Sequence, residues 1–523
     1  MTQVITCSIA TGRTLHYKNK LNTMSKNLLI IGGGVAGLSA GIYAQKNGFQ
    51  STIVEMHERA GGQLTAWNRE GYWFDYCLYW LVGTDHGVYH DVWRETDAMT
   101  DEVEVLNQRV FLRLEDERHG EFIIYKDLDE WEVYLKDMAP EDAAAITEMC
   151  SLMRKGDRVD QFEDAPGLRN WFDYLKALWD MGSFFGTILK YSKKSSQAFF
   201  DELGFTNPRL RYFLEELFGG VEFSAIAFIV MFGWFHAKNA GYLMGGSRAM
   251  ADRMAAKYLA LGGEFRFNSR VQEIVVEDDQ AKGVILDNGE RLSAEHVIAA
   301  CDGHTVLYDM LKEKYLTDQL REAYSNWPLF TPLVMVSVGV DQLVQSKTHI
   351  TTYMREGLKI GRTPVKAYQV MNRSSYDPSF VPRGKTALLI QFESPWELWE
   401  NLEGQAYLDE KAAIQKAVLQ LLEEHHIGIS DHIEVVDVAT PRTTVRYTGV
   451  WKGAYEGFLP KEDMLDGLPM ELDGLQNFTM IGQWLFPGGG LPPSALSGKW
   501  AIQKLCKSAG RDFIAKDETM ITA

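Results

Sequence analysis

The run Asn27-Leu28-Leu29-Ile30-Ile31 is apolar without alternation, which predicts a strand buried on both faces. Gly32-Gly33-Gly34-Val35-Ala36-Gly37 breaks the run and opens a helical pattern, and Ser51-Thr52-Ile53-Val54 predicts the next strand, closed by Glu55. The order returns near the C-terminus. Phe478-Thr479-Met480-Ile481-Gly482 reads as a strand, Pro487 to Pro493 as a glycine-rich loop, and Ser494 to Cys506 as a helix. In mid-chain, Gly245-Gly246-Ser247 precedes an alanine-rich helix over Met250 to Leu261. A strand follows at Val271-Gln272-Glu273-Ile274, then a hairpin turn at Asn288-Gly289 and a strand over Ala294 to Ala300.

Two long segments separate these pieces. In the first, Trp171, Phe172, Leu175, Leu178 and Trp179 recur at helical spacing, and Pro208 opens a further helix. The second carries strand patterns at Leu333 to Val340 and Ala387 to Phe392. The expected architecture is α/β: a discontinuous Rossmann-like domain from residues 24–95, 242–310 and 470–515, with an inserted α+β substrate region from 96–241 and 311–469. Residues 1–23 read as a tail.

Gly32, Gly34 and Gly37 fit G-x-G-x-x-G between strand and helix, the arrangement that brings backbone N–H groups and a helix N-terminus to a pyrophosphate. Glu55 stands near the position where an acidic residue accepts hydrogen bonds from a ribose. A dinucleotide is therefore expected. A second glycine pair follows in Glu55-Met56-His57-Glu58-Arg59-Ala60-Gly61-Gly62-Gln63-Leu64, and NAD binding does not require it.

With Gly482, Pro487, Gly488, Gly490, Ser497 and Gly498 at the far end, the chain from about Asn27 to about Gly510 resembles the phytoene desaturase, carotenoid isomerase and retinol saturase group of flavoproteins. The resemblance implies FAD on a glutathione-reductase-type domain. It assigns cofactor contacts to Gly32, Gly34, Ala36, Gly37, Glu55, Met56, Gly61, Gly62, Gln63 and Leu64. It adds Val271 and the C-terminal Gly482, Gly489, Gly490, Leu491 and Pro492. It also implies desaturation, saturation or isomerisation of C–C double bonds in an extended apolar substrate, such as a carotenoid, retinoid or other lipid. Two positions depart from the group's pattern. Cys77 follows Phe74-Asp75-Tyr76 where a glycine is frequent, and Leu485-Phe486 replaces Thr-His.

Among 523 residues, a formal charge of −18 argues against nucleic acid as a partner. Five cysteines without a C-x-x-C spacing suit a reducing cytosol and no redox disulfide. The most apolar stretch, Phe223 to Phe235, is too short to span a bilayer. The aromatics of Phe184 to Phe200 beside Lys190, Lys193 and Lys194 suggest a peripheral membrane contact instead.

No nucleophile–base pair or metal cluster stands out, and His425-His426 reads as a solvated face. Flavin chemistry needs only orientation, electrostatics and exclusion of water from the protein. Proton exchange is assigned to Arg446 or Tyr447, with Tyr455 and His236 as lesser candidates. A single dinucleotide motif leaves quinone, oxygen or a transient nicotinamide as the electron partner. The rival readings are an amine-oxidase-like flavoprotein acting on a C–N bond and a non-catalytic flavin- or lipid-binding protein.

Overall fold

Glu264–Arg266, Gln50–Val54, Asn27–Ile31, His296–Ala299 and Phe478–Met480 lie side by side in that order as one parallel sheet. The inner strands are short and apolar because they lie between helix Val35–Lys46 and the antiparallel strand Gln280–Leu286. The computed structural model describes residues 26–182, 184–217, 223–460 and 467–516, so the predicted tail lies outside the described residues. Helices Val35–Lys46 and Leu491–Ser508 pack together so closely that a Cβ on Gly498 would stand 2.7 Å from the Ala40 nitrogen. Val271–Glu277, Gln280–Leu286 and Arg291–Ser293 form a small antiparallel sheet, its second turn made at Gly289.

A second, seven-stranded sheet draws on both long segments. Its order is Ile433–Ala439, Leu333–Val340, Thr386–Glu393, Thr363–Asn372, Ile350–Ile360, Val110–Asp116 and Gly120–Tyr125. One face packs on helix Gly404–His425 through Val418, Leu421 and Leu422. The other turns Leu114, Met335 and Leu389 toward the aromatic helices of the first segment, including Ala225–His236.

Several element boundaries differ from expectation for local reasons. The last helix starts at Leu491, because Pro492 and Pro493 suit a first turn whose N–H groups need no intrahelical acceptor. The alanine-rich helix spans Gly246–Ala260 and starts early because the distant Asp75 caps it, Oδ2 accepting from Ser247 N at 2.7 Å.

The segment expected to make a peripheral membrane contact is largely covered. Phe184, Tyr191, Phe199 and Phe200 are core residues, and Lys190 and Lys194 both pair with Glu202. Phe185 and Leu189 stay exposed in that segment, but the larger exposed apolar surface is on helix Trp171–Met181, where Trp179 is 86% exposed and no residue is buried. His425 is no solvated face either: it stacks on Tyr353 at 3.8 Å and bonds the Tyr368 hydroxyl at 2.6 Å.

Candidate cofactor and substrate site

The first glycine turn separates two uses of glycine. Gly32 takes φ +101°, and a Cβ on Gly37 would lie 2.0 Å from the Gly32 carbonyl oxygen, so both serve the tight packing of helix on strand. Gly34 is different. A Cβ there would meet only the Gly61 carbonyl oxygen, at 3.9 Å, so its missing side chain leaves open space above the helix N-terminus. The second pair packs against this turn. Gly61 N donates to Gly33 O at 2.8 Å, and a Cβ on Gly62 would come within 3.2 Å of the Gly34 Cα.

Glu55 is buried at the end of its strand, with Oε2 accepting from Gly33 N at 2.8 Å and Oε1 from His57 N at 2.9 Å. A carboxylate oxygen accepts more than one hydrogen bond, so both retain capacity toward a ribose. Met56, Gln63, Leu64 and Val271 line the same cleft, together with Gly32, Gly34 and Ala36. Gly37 faces the turn and not the cleft.

At the other end, the Gly482 nitrogen donates to Ser497 Oγ at 2.9 Å, which ties the last strand to the last helix. Pro492 and Pro493 have no N–H, so the first turn of Leu491–Ser508 offers few donors, those of Gly490 and Leu491. Beside it runs Gly453-Ala454-Tyr455-Glu456-Gly457. A Cβ on Gly489 would sit 1.9 Å from the Glu456 carbonyl oxygen, so glycine is required for this approach. The Glu456 side chain enters the cavity, its Oε1 lying 3.8 Å from where a Gly490 Cβ would be. Its carboxyl has no hydrogen-bond partner among the described residues, and burial pushes it from 4.5 up to about 7. Sequence reading passed over Glu456; its signal was a lone carboxylate between glycines, next to aromatic residues.

These ends share one cavity of about 1310 Å³. It runs from the glycine turns to a floor made by the seven-stranded sheet, with Leu112, Leu114, Leu333, Met335 and Ile350. The facing wall carries Phe223, Ala227, Val230, Met231 and Trp234. Tyr76, Cys77, Tyr79 and Tyr455 stand between. Burial first, then Asp75, holds the Cys77 thiol at about 12, which removes it as a thiolate nucleophile.

The remaining sequence candidates scatter. Arg446 is exposed on helix Pro441–Thr448, outside the cavity lining, with its guanidinium 4.7 Å over the Tyr447 ring. Tyr447 touches the cavity edge beside His57, at the Glu55 end, and is half exposed. His236 accepts from Leu128 N at 3.2 Å, a structural contact. Among the described residues no group of three or more metal-ligating side chains converges.

The site fits a dinucleotide cofactor. It has an open cradle at Gly34, a buried carboxylate at Glu55 with accepting capacity left and a continuous cleft to the C-terminal glycine turn. Comparison with known proteins agrees. The chain is 26% identical over 519 residues to a 4,4'-diapophytoene desaturase (4,4'-diapolycopene-forming) of Methylomonas sp, covering 92% of this chain and 96% of the relative. It is 23% identical to the chloroplastic prolycopene isomerase of Arabidopsis thaliana, over 92% of this chain and 83% of the relative. Among solved structures, an oxidoreductase from Methanosarcina mazei superposes with TM-score 0.63 at 16% identity, over 91% of this chain and all of that one. A putrescine oxidase does so with TM-score 0.58 at 14% identity, over 92% and 99%. These likenesses share the mixed α/β fold. The model for flavin-containing amine oxidoreductases matches residues 35–503, and the chain belongs to that family.

Proposed function

We propose that this flavoprotein holds FAD along the cleft and acts on C–C double bonds of an extended apolar molecule. In this reading the chain divides into a glutathione-reductase-type FAD domain of residues 24–95, 242–310 and 470–515, and a substrate region of 96–241 and 311–469. The observation that carries the reading is one continuous cavity. Its near end has the glycine cradle and Glu55, and its far end is a predominantly apolar floor. The relatives named for desaturation and isomerisation of polyenes favour this reading over oxidation of an amine.

Gly34, with Gly61 and Gly62 behind it, accommodates the pyrophosphate, and Glu55 holds the ribose. Gly482, Gly489, Gly490 and Leu491 border the reacting end. Bound FAD supplies two-electron hydride exchange. The protein supplies the rest. The aromatic wall and the floor exclude water, and the Glu456 carboxyl exchanges the accompanying proton. A carboxyl held near neutrality gives and takes a proton with comparable ease. Arg446 and Tyr447 do not take this role in our reading, since neither reaches the cavity interior.

No described helix is long and apolar enough to cross a membrane. We assign a peripheral membrane contact to the exposed face of Trp171–Met181, which would admit a substrate insoluble in water.

The test is the visible spectrum of the flavin-loaded protein under anaerobic conditions, with polyenes, unsaturated lipids and amines offered in turn. Bleaching by a polyene or lipid is expected for the oxidised protein, or reoxidation of the reduced one. Bleaching by amines alone would overturn the proposal.

A further inference from the structure

We propose that the cavity floor recognises a neutral acceptor oxygen on its substrate, so the preferred ligand is an oxygenated polyene or lipid and not a bare hydrocarbon. This rests on the lipid reading of the cavity and adds the feature that selects among lipids.

The register of the seven-stranded sheet aligns one transverse row of side chains. Leu114 pairs with Thr352, Thr352 with Gln369, Gln369 with Gln391, and Gln391 with Met335. All five line the cavity. The neighbouring row on the same face is apolar, with Ile350 opposite Met371 and Met371 opposite Leu389. Met354 opposite Ala367 continues the apolar surface on the other side. Three adjacent polar side chains therefore cross a greasy floor as a band.

The bonding along the band has a direction. Tyr79 Oη donates to Gln391 Oε1 at 2.8 Å, and Gln391 Nε2 donates to Gln369 Oε1 at 2.8 Å. That order leaves Gln369 Nε2 as a donor without a partner among the described residues. Next to it the Thr352 Oγ1 is also unpartnered, on a residue only 8% exposed. A network that served the fold alone would close on itself, because a buried polar group left unpaired is unfavourable. A valine at position 352 would suit a strand equally well and carry no such cost. Two donors at adjacent cross-strand positions call for an acceptor. The band contains hydroxyl and amide groups and no cation, so the chemistry fits a carbonyl, ether or hydroxyl oxygen better than a carboxylate or phosphate.

The test compares β-carotene with its diketone canthaxanthin, which share a carbon skeleton, delivered in detergent to the flavin-loaded protein. Binding is read from the perturbation of the flavin absorbance. The wild type is expected to hold the diketone roughly tenfold more tightly, the scale of one or two net hydrogen bonds. Thr352→Val and Gln369→Leu should each reduce that preference several-fold, and the pair together should abolish it, with β-carotene binding kept or strengthened. An unchanged flavin spectrum and melting profile establish that the variants fold. Equal affinity of the wild type for both ligands would overturn the oxygen-binding band and leave the lipid reading intact. Loss of both ligands to the same degree in the variants would do likewise. Binding of neither ligand by the wild type would overturn the lipid reading and this inference with it.

Discussion

Replacing Glu456 by glutamine isolates the cost of ionising a carboxyl inside the cavity. Burial raises it from 4.5 in the unfolded chain to about 7 in the folded one. Below pH 4.5 both states hold the proton and the side chain is neutral in each. Between 4.5 and about 7 the unfolded chain releases the proton while the folded one keeps it, so stability falls as pH rises. Above that window the full penalty is present, and a displacement of this size corresponds to roughly 3 kcal/mol. Glutamine has nearly the same volume and no charge to lose. The variant is therefore expected to be more stable than wild type above pH 7, by up to about 3 kcal/mol, with the difference vanishing in acid. Denaturant unfolding at saturating FAD, followed by flavin fluorescence across this pH range, measures the difference directly. Turnover of the variant should fall and lose its ionisation near neutrality while the flavin spectrum stays intact. A stability difference that does not change with pH would refute the assignment of a raised carboxyl to this position.

Three further substitutions probe the cradle and the outer surface. Gly37→Ala drives a methyl to 2.0 Å from the Gly32 carbonyl oxygen and should cost roughly 3 kcal/mol or more of fold stability. Gly34→Ala, whose methyl meets only one protein atom at 3.9 Å, should leave the melting of flavin-free protein nearly unchanged yet weaken FAD binding at least roughly tenfold. Full FAD affinity in Gly34→Ala would contradict the cradle. Trp179→Glu should lower the fraction of protein sedimenting with phospholipid vesicles without altering the flavin spectrum. A wild type that never sediments would end the membrane proposal.

The parts of the molecule legible in the sequence are those set by near neighbours. An unbroken apolar run such as Leu28 to Ile31 has few fates other than a strand covered on both faces. Gly37 is fixed by contact with Gly32, five positions away and part of the same motif. The parts that were not legible are built from distant partners. Asp75 pairs with Arg373 at 3.2 Å, both buried, while also capping helix Gly246–Ala260. Nothing along the chain links Asp75 to Arg373 or to the start of that helix. The polar band exists only in the cross-strand register, because Thr352, Gln369 and Gln391 belong to three strands. Periodicity predicted helix Trp171–Met181 but not whether its apolar face is covered. The Phe184 helix is packed against Ala225–His236 in the aromatic core, and Trp171–Met181 has no such cover.

The paucity of donors at the last helix gives Glu456 its electrostatic significance. Helix N-termini stabilise negative charge through unpaired N–H groups and the aligned peptide dipoles. Pro492 and Pro493 remove two of the donors from the turn that borders the reacting end. A fully ionised Glu456 beside that turn would oppose any negative charge arriving there, in a cavity whose walls screen poorly. A protonated Glu456 would not. In the proposed reaction, a carboxyl held near neutrality would do two things with one side chain: keep a proton available and avoid adding a negative charge beside the bound flavin. For the same reason the proposed site has no need of Arg446 in the cavity interior. A permanent cation there would hold Glu456 ionised, drawing its pKa back down and away from the range in which it exchanges protons.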